Sequence, residues 1–206
     1  MPEAEPTANM VRLSDRLEDW FRSPGPKTLG SLIEVFQEKS FAVLFVLLLA
    51  LSALPLPTGG VTHVFELIAM LPALELIAGR KTVWLPERWK RRELGVAEQQ
   101  RSSERLLRWI RWLESHSRPR LGFLLTHRLS GVFFGTLVFV LTLTAFLAPP
   151  FTGLDTLPSL GVVLLSLGVL LDDSLLALIG IVVGAVGALL VVILGKAAYG
   201  GVKSLF

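Results

Sequence analysis

The chain has 206 residues, 52% of them hydrophobic and only 18% charged, with a net charge of +3 and a mean hydropathy of +0.61. A soluble domain carries about 25% charged residues, and the charges here also avoid long regions: residues 41–79 hold only Glu66 and Glu75, and residues 129–195 only Asp155, Asp172 and Asp173. There is no cysteine, which excludes a disulfide framework and a thiolate metal site.

Apolar runs this long and this poor in charge point to membrane spans. The rival reading, a soluble bundle with very apolar core helices, would need several separate segments to mislead together. His63, His116 and His127 are isolated from one another, so neither a metal cluster nor a cofactor is expected.

Residues 1–9 read as disordered, and their acidic start does not resemble a cleaved signal peptide. Met10–Phe21 puts Val11, Leu13, Leu17, Trp20 and Phe21 on one face of a short amphipathic helix. Ser23-Pro24-Gly25-Pro26 breaks it. Thr28 is a plausible N-cap for a helix over Leu29–Lys39. The apolar run Phe41–Ala53 follows and meets Leu54-Pro55-Leu56-Pro57-Thr58-Gly59-Gly60, where prolines lack a donor and glycines allow a tight turn. The return run, Val61–Ala78, is long enough to cross, with a kink expected at Pro72. The first arm is shorter than a bilayer's hydrocarbon core. It must either recruit part of Leu29–Lys39 or belong to a re-entrant hairpin.

From Arg80 to Arg128 there are 13 Lys or Arg against 5 Glu. Within this segment Glu98–Ser115 sets Leu106, Trp109, Ile110 and Leu113 on one face and Arg101, Arg105, Arg108 and Arg111 on another. Such a helix is expected to lie in the membrane interface, its arginines and Trp109 and Trp112 at lipid headgroups. The basic face could alternatively suit nucleic acid, but the flanking apolar runs already supply a membrane, so no nucleic-acid partner is expected. All five tryptophans fall outside the apolar runs, as an interfacial belt would have them.

A second hairpin follows: Gly131–Phe146, a tip at Leu147-Ala148-Pro149-Pro150-Phe151-Thr152-Gly153, and Leu157–Leu171. Sliding the chain by 93 residues aligns Pro57 with Pro150, Gly60 with Gly153 and Thr62 with Asp155. The two tips, Pro55, Pro57, Gly59 and Gly60 in one and Pro149, Pro150 and Gly153 in the other, mark an internal duplication. Asp172 and Asp173 can cap a last helix, Leu175–Leu194. Its Gly180, Gly184 and Gly187, with Gly131 and Gly135 earlier, allow close helix packing, within the chain or in a homodimer. The expected architecture is therefore all-α and polytopic. It comprises an N-terminal segment (1–40), a first membrane hairpin (41–79), a basic interfacial linker (80–128), a second hairpin (129–172) and a last transmembrane helix with its tail (173–206). The basic segments place the N-terminus and linker in the cytoplasm and both tips on the far side.

Thr28-Leu29-Gly30, Lys39-Ser40-Phe41, the first tip, Gly79-Arg80-Lys81 with Trp84-Leu85-Pro86, the second tip with its Pro150 and Asp155, and Asp172-Asp173 together resemble the bacterial exopolysaccharide synthesis ExoD family. The resemblance covers nearly the whole chain after about residue 10. It implies a small multi-pass inner-membrane protein connected with polysaccharide production and brings no catalytic motif. His63, Glu66 and Glu75 depart from the family pattern, so inferences from them are particular to this chain.

Ionisable groups within spans are costly and therefore point to function. His63 and Glu66 are three apart and share a helix face. Asp155 sits in the matching region of the second hairpin. If the halves pack about a pseudo-axis, these three converge into a polar site for a headgroup, a sugar phosphate or a proton. The bland alternative is that water reaches all three near the tips. Glu75 is expected to pair with a base of Gly79-Arg80-Lys81. The leading expectation is a non-enzymatic membrane protein supporting exopolysaccharide synthesis or export, with membrane lipids and the synthesis machinery as partners. A small transporter or flippase for a lipid or lipid-linked sugar is the second reading. A membrane enzyme and a passive scaffold rank after it.

Overall fold

The computed structural model describes residues 13–55, 60–93, 104, 107–108, 110–112, 114–115, 128–149 and 152–203. Named helices, in chain order, are α1 (Leu13–Arg22), α2 (Leu29–Phe36), α3 (Ser40–Leu49), α4 (Val61–Ile77), α5 (Glu87–Lys90), α6 (Arg128–Leu147), α7 (Thr156–Leu170) and α8 (Ser174–Lys203). Glu104, Leu107, Arg108, Ile110, Arg111, Trp112, Glu114 and Ser115 are also helical. Among the described residues there is no strand, only an isolated bridge between Thr28 and Glu93. The all-α expectation is met.

α1 is the amphipathic helix read from the sequence, but its apolar face turns into the protein. Leu17 and Trp20 are buried, and the Trp20 indole donates to Ser31 Oγ at 3.1 Å. Trp20 is therefore a core residue and not part of an interfacial belt; among the described residues Trp84 and Trp112 are exposed. Thr28 caps α2 as expected: its Oγ1 accepts from the Ser31 amide, while Ser31 Oγ accepts from the Thr28 amide, each at 3.2 Å. That reciprocal pair satisfies two amides that a helix start otherwise leaves orphaned.

The expected helix over Leu29–Lys39 is broken. Gln37 takes a left-handed φ of +31°, and a single 3₁₀ turn, Gln37–Lys39, separates α2 from α3. α3 therefore does not borrow length from α2. At 1.5 Å per residue its ten residues rise about 15 Å, half of a hydrocarbon core. Helical bonds from Ala50 to Val46 and from Ala53 to Leu49 prolong the coil by about a turn. α3 is the most enclosed element, with Phe41, Ala42, Leu44, Phe45 and Leu49 all buried.

α3 packs against α4 and α7, α4 also packs against α6, and α7 lies along α8. Phe45 meets Phe134 edge-on at 5.8 Å in the centre. The α7–α8 seam depends on small residues. A Cβ added to Gly161 would sit 2.3 Å from Gly184 Cα, and one added to Gly180 would sit 2.3 Å from the Leu165 nitrogen. Close packing by glycine is thus used inside the chain, as it is at Gly135, which faces Ala73 and Ile77 of α4.

The outer faces stay apolar. Val61, Val64, Leu67, Leu71 and Leu74 form an exposed stripe on α4, and Leu175, Leu178, Val182, Val186, Leu189 and Ile193 form another on α8. Soluble monomers rarely expose apolar surface of that continuity. Ser130–Leu147 and Ser174–Ala197 are each long and apolar enough to cross a membrane.

The segment after α4 folds back onto the N-terminal helices. The Leu29 amide donates to Arg92 O at 3.0 Å, and Gly30 lies against Lys90. Ile110 is buried in the same cluster as Leu17 and Trp20, and the Ser14 amide donates to Glu114 at 2.9 Å. The arginine stripe is correspondingly divided. Arg111 forms an ion pair with Glu18 of α1, and Arg108 and Trp112 are exposed. Arg101, Arg105 and Trp109 lie outside the described residues.

Candidate functional site

The polar interior sits at the end of the bundle formed by the start of α4, the turn before α7 and the turn after α3. α4 begins at Gly60, whose φ of +88° turns the chain into the helix, and the His63 amide donates back to Gly60 O at 3.2 Å. One turn of helix then brings His63 and Glu66 onto one face. On the other side Gly153 takes a φ of +69°, and the Ser159 amide closes the first turn of α7 on Asp155 O at 3.1 Å.

The three residues singled out from the sequence come together here. One donor atom from each of His63, Glu66 and Asp155 lies within 4.8 Å of the other two. His63 Nε2 is 3.1 Å from the Ala148 carbonyl, and only a protonated Nε2 can bond to that acceptor. In the neutral ring this leaves the lone pair on Nδ1, which faces Glu66 Oε2 at 3.6 Å. Thr62 Oγ1 donates to Asp155 Oδ2 at 3.2 Å. Phe146 packs against the His63 ring at 5.8 Å.

Glu66 is fully buried, and among the described residues neither of its carboxylate oxygens accepts a well-formed hydrogen bond, although the Ser52 hydroxyl and the His63 ring stand beside it. His63 Nδ1, Ser52 Oγ and Ser159 Oγ are likewise buried without one. A buried carboxylate with no partner costs several kcal/mol. The site as built therefore favours a bound cation or a proton on Glu66. Water access at the tips does not describe Glu66, which is 0% exposed. What counting histidines leaves out is that two carboxylates fold onto His63.

Other expected residues fall elsewhere. Pro55 and Pro149 are exposed, and Gly60 and Gly153 form the turns just described; Pro57, Gly59 and Pro150 lie outside the described residues. Among the described residues Glu75 does not pair with a base: its Oε2 accepts from the Trp84 amide at 2.9 Å, pinning the chain after Gly79. Asp173 caps α8 as expected, accepting from the Leu175 and Leu176 amides at 2.9 and 3.2 Å. Asp172 instead pairs with Lys39. Sequence reasoning missed Thr62, Ser52 and Ser159 as site residues. Thr62 had a signal, its alignment with Asp155 at the 93-residue offset; a lone serine in an apolar run has none. A concavity of about 450 Å³, lined by Arg80, Lys81, Thr82, Val83, Trp84 and Lys90, lies away from the acidic site, at the far end of α4.

Fold and site thus describe a protein that is helical throughout its described elements, with two membrane-length apolar helices and a buried polar cluster between the starts of α4 and α7. The chain belongs to the exopolysaccharide synthesis ExoD family, whose model matches residues 13–193. Protein ExoD of Rhizobium meliloti is 29% identical over 175 residues, covering 84% of this chain and 72% of that protein. An uncharacterized protein of Synechocystis sp. is 29% identical over 197 residues, covering 94% of this chain and 92% of its own length. No solved structure matches the chain. Family membership connects the protein with exopolysaccharide synthesis and with bacteria.

Proposed function

We propose that this protein is a multi-pass protein of the bacterial inner membrane that supports exopolysaccharide synthesis or export without itself catalysing a covalent step. The observation that carries the reading is the family match across residues 13–193. The apolar stripes on α4 and α8 support membrane insertion, and the basic segments before α3 and after α4 support a cytoplasmic N-terminus and linker. The duplicated-hairpin reading is supported by the packing. α3 lies on α7 and α4 on α6, as a two-fold exchange of the halves would require, and Thr62 bonds to Asp155, its counterpart 93 residues on.

The basic concavity around Arg80, Lys81 and Lys90 fits a second reading, handling of a lipid-linked sugar. Three cations beside the exposed Trp84 suit a phosphate joined to an apolar tail. On either reading a deletion strain loses most of its secreted polysaccharide and regains it with the wild-type chain. Normal yield in the deletion strain would sink both. Reconstituted protein that moves no labelled undecaprenyl phosphate would remove the second alone.

A further inference from the structure

We infer that His63, Glu66 and Asp155 bind one divalent transition-metal cation, of the Zn²⁺ or Mn²⁺ type, which ties the first turn of α4 to the turn before α7.

The donor set fits such an ion. An imidazole nitrogen suits borderline metals, and carboxylate oxygens suit those and harder ones. With metal–ligand distances of about 2.1 Å, tetrahedral ligands stand about 3.4 Å apart. The 3.6 Å between His63 Nδ1 and Glu66 Oε2 is close to that spacing, while it is too long for a hydrogen bond. All three donors lie within 4.8 Å of one another, and Asp155 stands in a half-buried turn.

The surroundings are those of ligands held in place. Metal-binding histidines usually donate their second ring N–H to a carbonyl or carboxylate, which fixes the ring and turns the other lone pair to the metal. Ala148 O does this for His63 Nε2. The Thr62 hydroxyl does the equivalent for Asp155, taking one oxygen and leaving the other.

Charge leads to the same conclusion independently. When both carboxylates are ionised, a divalent ion balances the two charges, whereas a proton balances Glu66 alone. No Lys or Arg is bonded to either carboxylate among the described residues, and Glu66 offers two unpartnered oxygens from a fully buried side chain. Ser52, in the turn after α3 and beside Glu66, and Ser159, one helical turn beyond Asp155, are buried hydroxyls that can bond to water completing the shell. The inference does not depend on the role in polysaccharide production.

The test uses the full chain purified in a non-ionic detergent and stripped with a chelator. Titration with ZnCl₂ or MnCl₂ should find one ion per chain and a raised unfolding temperature. Glu66→Gln and Asp155→Asn should each weaken binding at least tenfold and lose the temperature shift, while remaining monodisperse without metal. His63→Gln should do the same and also weaken any preference for Zn²⁺ over Ca²⁺. If Glu66→Gln does not yield folded protein, Asp155→Asn decides, because Asp155 lies in a turn and not in the core. Wild-type protein that retains no ion after desalting would overturn the inference, as would unchanged binding in Asp155→Asn together with His63→Gln. Stabilisation by acid alone, with no response to either metal, would assign the cluster to a proton instead.

Discussion

Lys39 joins two points 133 residues apart. Its Nζ donates to Asp172 Oδ2 at 2.7 Å and to Leu170 O at 3.0 Å, so the start of α3 is tied to the end of α7. Both side chains remain partly open, 33% and 21% exposed, and water weakens the pair. A charge-assisted bond of this kind contributes about 1 kcal/mol. Lys39→Ala should lower the unfolding temperature in detergent by a few degrees, while Lys196→Ala, on the exposed far part of α8, should not. Equal shifts in the two variants would show that the Lys39 bonds contribute nothing. At this scale the sequence is informative where spacing decides geometry. His63 and Glu66 share a face because they are three apart. It is silent where a partner comes from a distant turn: Glu75 finds the Trp84 amide and not Arg80 or Lys81, and Lys39 finds Asp172.

Among elements, α7 and α8 form the closest seam, and glycine makes it possible. In a membrane there is no hydrophobic drive between helices, so association rests on backbone approach and dispersion. A methyl at Gly180 would meet the main chain of Leu165 and Gly161, which cannot rotate away. Overpacking costs about 1–3 kcal/mol, and a main-chain neighbour places this case at the upper end. Gly180→Ala should therefore lower the unfolding temperature and the yield of monodisperse protein. Gly195→Ala, whose Cβ would enter open space, should leave both unchanged. Matching losses in the two variants would count against the seam. Helix positions were legible because long apolar runs and Pro/Gly tips bound them on both sides. The break at Gln37 was not, since a non-glycine residue at positive φ leaves no mark in composition. Nor was the direction of the amphipathic faces: α1 and the helical residues around Ile110 cover each other, so a pattern that fits a lipid surface equally fits a protein one.

For the whole molecule, the site and the topology are linked. Lys39 and Asp172 lie at one end of the bundle, while His63 and Asp155 lie at the other, beyond α3 and before α7. If α6 crosses the membrane, as its 20 residues and rise of about 30 Å permit, then Arg128 and the Thr152 turn are on opposite faces. The positive-inside rule would then put the Arg128 side, which follows an excess of Lys and Arg, in the cytoplasm. The absence of native cysteine makes this directly testable, because any introduced thiol is the sole reactive one. Thr152 is exposed in the turn before α7, and Ser115 is exposed in the basic segment. In spheroplasts Thr152→Cys should react with a membrane-impermeant maleimide, and Ser115→Cys only after permeabilisation. The reverse pattern would invert the molecule and place the His63 cluster at the cytoplasmic face. Labelling of both in intact spheroplasts would mean that α6 does not cross. The expected pattern would open the His63–Glu66–Asp155 end to periplasmic ions and leave the Arg80–Lys81–Lys90 concavity to cytoplasmic anions, so the two charged sites would work on opposite sides of one membrane.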